Sequence, residues 1–195
     1  MGNVKELEVD NQYILKSDQN ESVHGKVLIG DNLSGLPDEL LQEYGAQVNL
    51  ALSQHTDTML QYTAEEIVDI VKEGRAVMVI DTDDHLACLA FAQISPWINE
   101  QGEVVATEFR SWKSWSPHQG IPALIGGVNL SEQLFPGVPA YGIVEAGNIK
   151  AQKKFLEAGA APYEGMPPGM TVVLKDGEAS VLAFSLKGVK TKGEL

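Results

Sequence analysis

One segment constrains the fold more than any other: the apolar run Val138 to Val144 leads almost directly into Asn148-Ile149-Lys150-Ala151-Gln152-Lys153-Lys154-Phe155-Leu156-Glu157-Ala158-Gly159. The run reads as a strand, and the segment after it as a short, well-punctuated helix. Asn148 is a good N-cap, because its side-chain oxygen can accept from the free amides of the first turn, and Gly159 can take the left-handed conformation that ends a helix. Ala151, Phe155 and Ala158 fall on one stripe at three- and four-residue spacing, with Lys150, Lys153, Lys154 and Glu157 mostly opposite. The minimum reading is an amphipathic helix on a sheet. The lysines cluster toward the C-terminal half, where the helix dipole favours cations, and need no ligand to explain them.

The remaining chain supplies the sheet and more helices. Tyr13 to Leu15 and Lys26 to Ile29 are candidate strands about a polar turn, so residues 1–36 read as an N-terminal extension or hairpin. Pro37 opens a helical pattern in which Leu40, Leu41, Tyr44, Val48 and Leu52 recur, giving a helix over about 37–54. Thr63-Ala64-Glu65-Glu66 is a capping box ahead of Ile67, Ile70 and Val71, and Gly74 stops that second helix. Ala76 to Asp81, Leu86 to Ile94 and Glu103 to Trp115 are strands on short links, an antiparallel meander. Ile121, Leu124, Ile125 and Val128 repeat at helical spacing, while Gly126-Gly127 implies close packing or an early break. Thr171 to Leu174 and Val181 to Leu186 form a last hairpin across Asp176-Gly177, and 187–195 reads as a frayed tail. With 195 residues and 44% apolar composition, residues 37–186 form one domain.

That order, with the spacing of Asn148, Ala151, Phe155 and Gly159, resembles the Gcn5-related N-acetyltransferase (GNAT) fold from about residue 37 to 186. Family members commonly read Asn-x-x-Ala here, then an aromatic, usually Tyr, and then Gly. The resemblance implies an α/β fold: a mixed, mostly antiparallel sheet flanked by helices, with one parallel crossover around 103–144. It also implies acetyl-CoA as acyl donor and a small-molecule amine as acceptor, and it allows a homodimer.

In the family, a loop reading Arg or Gln, two residues, Gly, one residue, then Gly or Ala cradles the CoA pyrophosphate with its amides, as helix starts generally hold anions. Aligned on Gly120-Ile121, the slots become Pro117, His118, Gln119, Gly120, Ile121 and Pro122. One glycine remains, Pro117 replaces the leading residue, and Pro122 brings no N–H. His118 can donate to phosphate when protonated. Trp112 falls where the family's backbone faces the acyl group, and Asn148, Lys154 and Phe155 fall on the cofactor side, Lys153 and Lys154 within reach of an adenosine phosphate. Each also has a plain reading, as a loop entering a helix or a solvated face.

The family's chemistry is attack of a neutral amine on the thioester, with a base for the amine and an acid for the thiolate. The acid is the Tyr whose slot is Phe155 here, so Tyr141 on the preceding strand is the substitute, and Phe155→Tyr is expected to raise turnover. Strand alternation puts Glu108, Arg110 and Trp112 on one face, which makes Glu108 the candidate base and Glu145 the alternative. A surface ion pair with Arg110 equally explains Glu108.

The histidines at 24, 55, 85 and 118 have no metal-ligand spacing, and the single Cys88 lies in an apolar run and reads as core. Neither a phosphate-binding Gly-x-x-x-x-Gly-Lys-Ser/Thr run nor a Gly-x-Ser-x-Gly elbow is present. A net charge of -13 and pI near 4.6 argue against nucleic-acid or anionic-membrane partners. No apolar stretch is long enough to cross a bilayer and Met1 to Asp10 is too polar for a signal peptide, so a cytoplasmic protein is expected. The expected function is acetyl-CoA-dependent N-acyl transfer to a small or cationic amine. The alternative is a noncatalytic GNAT-like domain acting as a binding or interaction protein.

Overall fold

In the computed structural model the described residues are 25–54, 60–170 and 181–189. Along the chain run β1 (Gly25–Ile29), α1 (Asp31–Ser34), α2 (Asp38–Ser53), α3 (Ala64–Lys72), β2 (Ala76–Asp81), β3 (Cys88–Ile98) and β4 (Val104–Ser114). There follow α4 (Gly120–Leu134), β5 (Ala140–Glu145), α5 (Ile149–Glu157), β6 (Ala161–Tyr163) and β7 (Val181–Ser185). The strands form a seven-stranded sheet in the order β1-β2-β3-β4-β5-β7-β6. Every neighbouring pair is antiparallel except β4 and β5, which are parallel because α4 carries the chain across between them.

Helices cover both faces, so the sheet centre is mostly apolar; in β2 every residue before Asp81 is buried. One face packs under α2 and α3, with Leu41, Tyr44, Val48, Ile67 and Val71 meeting Met78 and Phe91. On the other, α4 and α5 bring Leu124, Leu130 and Phe155 against Val77, Ile94 and Phe109. A small third cluster of Ala106, Tyr141 and Met170, with Trp97 and Ile143, lies toward the β5 side; by strand alternation it shares the face of α2 and α3.

The local signals act as their chemistry dictates. Thr63 and Glu66 cap α3 reciprocally. Asn148 Oδ1 accepts from the Ala151 N–H at 3.1 Å and starts α5. Gly159, at φ 94°, ends α5 in a Schellman turn, with the Ala160 N–H donating to the Phe155 carbonyl at 2.9 Å and the Gly159 N–H to Leu156 at 3.0 Å. Of the two readings of Gly126-Gly127, close packing holds and the early break does not occur, so α4 runs on to Leu134. A Cβ on Gly126 would stand 2.6 Å from Val27 Cγ1, and one on Gly127 would overlap the Phe109 ring, so the helix lies directly on the sheet.

Residues 25–36, read from sequence within the N-terminal extension, form β1 and α1, and β1 is the edge strand beside β2. Strand β6 was not expected, being three residues long with a proline in its middle, which only an edge position tolerates. The candidate strands Tyr13 to Leu15 and Thr171 to Leu174, and the Asp176-Gly177 turn, lie outside the described residues.

Candidate functional site

The parallel strands β4 and β5 pair only over Thr107–Phe109 and Ala140–Gly142. Yet β4 continues to Ser114 and β5 to Glu145, so beyond Phe109 the two part and leave a wedge between their C-terminal ends. Open α/β sheets place ligands at such a point, outside the carboxyl ends of parallel strands. The origin is a bulge in β4. Between the Gln93–Arg110 and Phe91–Lys113 pairs, Ser111 and Trp112 together oppose Ala92 alone. Ser111 takes φ 55°, unusual for a residue with a Cβ. The added residue inverts the side-chain alternation, which corrects the expectation that Glu108, Arg110 and Trp112 share a face. Glu108 and Arg110 lie on the face of α2 and α3, whereas Trp112 turns to α4 and α5, its ring 5.5 Å from that of Phe109 and 5.0 Å from that of Phe155.

On the α4–α5 side, the Trp112 indole N–H donates to the Gly120 carbonyl at 3.0 Å. Lys154 Nζ lies 5.6 Å from the Trp112 ring centroid, and a Cβ on Gly120 would be 2.8 Å from that Nζ. The ammonium therefore rests at the start of α4, where the dipole is positive and repels it. Burial, and then the neighbouring Lys150, lower the Lys154 pKa, against a raising influence of Glu157. Lys113 is lowered too, by burial and then by Lys150 and Lys154, so these lysines repel one another. Among the described residues no carboxylate approaches Lys154 Nζ within 4.0 Å.

The loop residues divide. Pro117 and His118 are exposed, His118 at φ 64°. Gln119 is buried, its side chain packed against Gly25 of β1 rather than held out to the loop. Pro122 lacks an N–H and the Ala123 N–H bonds Gln119 O at 3.3 Å, which leaves the amides of Gly120 and Ile121 as the first-turn donors without an intrahelical partner. Asn148 is engaged as a cap, Lys153 is exposed, and Phe155 is only 2% exposed and stacks on Phe184 at 5.3 Å.

The opposite face holds a polar cluster between two apolar ones. Glu108 Oε2 accepts from the Trp97 indole N–H at 3.1 Å. Arg110 Nε lies 3.8 Å from that oxygen, too far for a hydrogen bond, and is buried without an acceptor among the described residues. Gln93 Nε2 donates to Tyr62 Oη at 2.7 Å and to Ser111 Oγ at 3.0 Å. Tyr141 is the register partner of Glu108 on β5 and so shares its face. Its ring meets that of Tyr163 edge-on at 5.0 Å, and burial, then Tyr163, raise its pKa. Glu145, partly exposed, ends β5 on the same face by alternation. Sequence reading missed Gln93, Tyr62, Trp97 and Ser111. Gln93 left a signal, an amide inside the otherwise apolar run Cys88 to Ile94; Tyr62, in a loop far away in sequence, left none.

Among the described residues no group of histidine, cysteine and carboxylate side chains could hold a metal ion, and no helix is long and apolar enough to cross a membrane. No protein-family model matches the chain, and no curated protein matches it in sequence. Solved structures match in shape. An acetyltransferase of the GNAT family from Streptococcus pneumoniae aligns with TM-score 0.57 at 11% identity, over 83% of this chain and 98% of that one. Naa50 of Arabidopsis thaliana, in complex with the bisubstrate analogue CoA-Ac-MVNAL, gives 0.53 at 13% identity over 83% and 98%. The spermidine N-acetyltransferase SpeG of Vibrio cholerae, in a mutant form, gives 0.52 at 13% identity over 83% and 92%. The sheet order, the parallel β4–β5 splay and these alignments together establish that the chain has the GNAT fold.

Proposed function

We propose that the protein binds acetyl-CoA in the β4–β5 wedge and transfers the acetyl group to the nitrogen of a small amine. The observation that carries this reading is the wedge itself, opened by the bulge at Ser111 and Trp112 and bordered by a lysine-rich helix start on one face and a carboxylate on the other. The residues present fit an anionic cofactor. Lys154 keeps a partly desolvated ammonium, with no carboxylate within 4.0 Å among the described residues, beside the Gly120 and Ile121 amides, and a phosphate there would relieve both the repulsion among the lysines and that between Lys154 and the helix dipole. In this chain lysine side chains thus stand in for the amides that the loop has lost.

Bound acetyl-CoA would supply an activated acyl group, ending as an amide and a free thiol. The chain's residues do the rest. Past Phe109 the β4 backbone has no β5 partner, so its donors and acceptors there are free to position the acyl arm. Glu108, anchored by Trp97 at the last rungs before the strands part, accepts a proton from the ammonium of the acceptor and frees its lone pair. Tyr141 keeps its hydroxyl proton, since its pKa is raised, and is the donor on that face for a departing thiolate; Phe155 offers none. A noncatalytic binding role is the second reading, favoured by one observation: the slot of the family's usual acid holds a phenylalanine sealed in the core.

Calorimetric titration with acetyl-CoA, followed by thiol release with an amine panel, tests both. Saturable binding is expected, weakened about 10- to 100-fold in Lys154→Met through loss of a charged hydrogen bond. No binding at millimolar ligand refutes the reading, and binding with no thiol release from any amine selects the noncatalytic one.

A further inference from the structure

The polar face beside the wedge carries a charge arrangement that a simple amine does not use. Glu108 and Arg110 are two residues apart on one side of β4, and Arg110 Nε lies 3.8 Å from Glu108 Oε2. They do not hydrogen-bond: the Glu108 oxygen takes the Trp97 indole N–H, and Arg110 Nε is buried with no acceptor among the described residues. A buried guanidinium donor without a partner is costly unless something supplies an acceptor. Neither group is sealed away, the side chain of Arg110 being 34% exposed and that of Glu108 12%. Arg110 is the last regular residue before the bulge, and Glu108 sits among the last rungs joining β4 to β5, so both border the floor of the wedge.

We propose that this pair is the seat of a zwitterionic acceptor, a free α-amino acid, with its carboxylate on Arg110 and its amino group on Glu108. The inference rests on the acyl-transfer reading and names its substrate class. An α-amino acid carries its opposite charges on neighbouring carbons, a spacing that suits two protein charges lying side by side with their signs reversed. The guanidinium fork matches a carboxylate in geometry, and the 34% exposure of the Arg110 side chain lets a ligand reach it. The amino nitrogen is then delivered to Glu108 at the wedge floor. A polyamine would instead bring a second positive charge against Arg110. The net charge of -13 attracts cations from a distance, but the local field at Arg110 selects against them at contact.

The test compares ligands that differ only in the carboxylate. The twenty common L-amino acids, their methyl esters and the corresponding decarboxylated amines are titrated into the full-length protein, with binding read by saturation-transfer NMR and turnover by thiol release from acetyl-CoA. At least one amino acid is expected to bind, with its ester and amine about 10- to 100-fold weaker. Arg110→Met should erase that preference, raising KM for the amino acid about 10- to 100-fold more than KM for the matching amine. Equal binding of esters or amines, or no amino-acid binding at tens of millimolar, overturns the inference whether or not acetyl-CoA binds. Conversely, amino-acid binding that requires the carboxylate, in a protein that ignores acetyl-CoA, sustains this site and refutes acyl transfer.

Discussion

Restoring the tyrosine at position 155 is the most direct probe of how this site differs from its fold relatives. On sequence alone Phe155→Tyr returns the missing acid and raises turnover. The packing gives the opposite expectation. Phe155 is 2% exposed, its ring stacked 5.3 Å from Phe184 and tilted against Trp112 at 5.0 Å. The ring tip abuts β5: a Cβ on Gly142 would lie 2.5 Å from Phe155 Cε1 and closer still to Cζ, the atom that would bear the hydroxyl. The new group is driven against the strand backbone, away from solvent. An unpartnered buried hydroxyl costs about 1–3 kcal/mol and the overpacking about another 1–3 kcal/mol. The sum of roughly 2–6 kcal/mol is a large part of a typical domain stability of about 5–15 kcal/mol. At about 2–4 °C per kcal/mol for a chain of this size, the melting temperature falls by about 4–24 °C. Urea unfolding and thermal melts of wild type and variant give the stability, and thiol release at a temperature where both are folded gives the rate. A variant as stable as wild type that turns over faster would refute the argument, because position 155 would then face the reacting atoms and not the core.

Gly127→Ala should destabilise the protein although alanine is the better helix former by about 1 kcal/mol. Its Cβ would overlap Cδ2 and Cε2 of Phe109, and adding Phe109→Leu should recover part of the loss in a double-mutant cycle of urea midpoints. Cys88 provides a pH test. Burial pushes its thiol from an ordinary 9.0 up to about 12, so the folded protein keeps a proton that the unfolded chain releases; the associated stability is intact below pH 9 and is lost as pH rises toward 12. Above pH 9 wild type should lose about 1.4 kcal/mol per pH unit more than Cys88→Ala, by chemical denaturation across that range, and parallel curves would show that the thiol does not titrate as buried.

Much of the fold was legible because its signals are local and redundant. The capping box at Thr63, the Asn148 cap, the Gly159 stop and the apolar strand runs each point to the element that forms. The Gly126-Gly127 pair was ambiguous for a physical reason: glycine breaks a helix in isolation but tightens one that packs on a sheet, and only the location of Phe109 and Val27 decides which. Strand β6 escaped because three residues around a proline carry no periodicity. Glu108 and Tyr141 were singled out by strand position, and the β4–β5 register brings them to one face. Gln119 was assigned to the loop by aligning the family's pattern on Gly120-Ile121, whereas its side chain packs against Gly25 of β1, almost a hundred residues earlier. The Tyr62–Gln93–Ser111 group joins a loop and two strands, and no window of sequence contains it.

One added residue in β4 determines how the site is divided. In a regular strand, the side-chain period of two would put Trp112 beside Arg110, and its indole would compete for the polar face. With Ser111 taking φ 55°, everything after it turns over. Trp112 then seals the α4–α5 side, bonding Gly120 and packing on Phe155, while Glu108 and Arg110 are left on the far side, where Glu108 accepts from Trp97. Lys154 at the start of α4 and the Glu108–Arg110 pair thus lie on opposite faces of the sheet beside the wedge where β4 and β5 part. A phosphate-bearing donor and an amine acceptor could approach from opposite faces without sharing a binding surface. Lys154 reaches the start of α4 from α5, an element begun by the Asn148 cap and not by the loop.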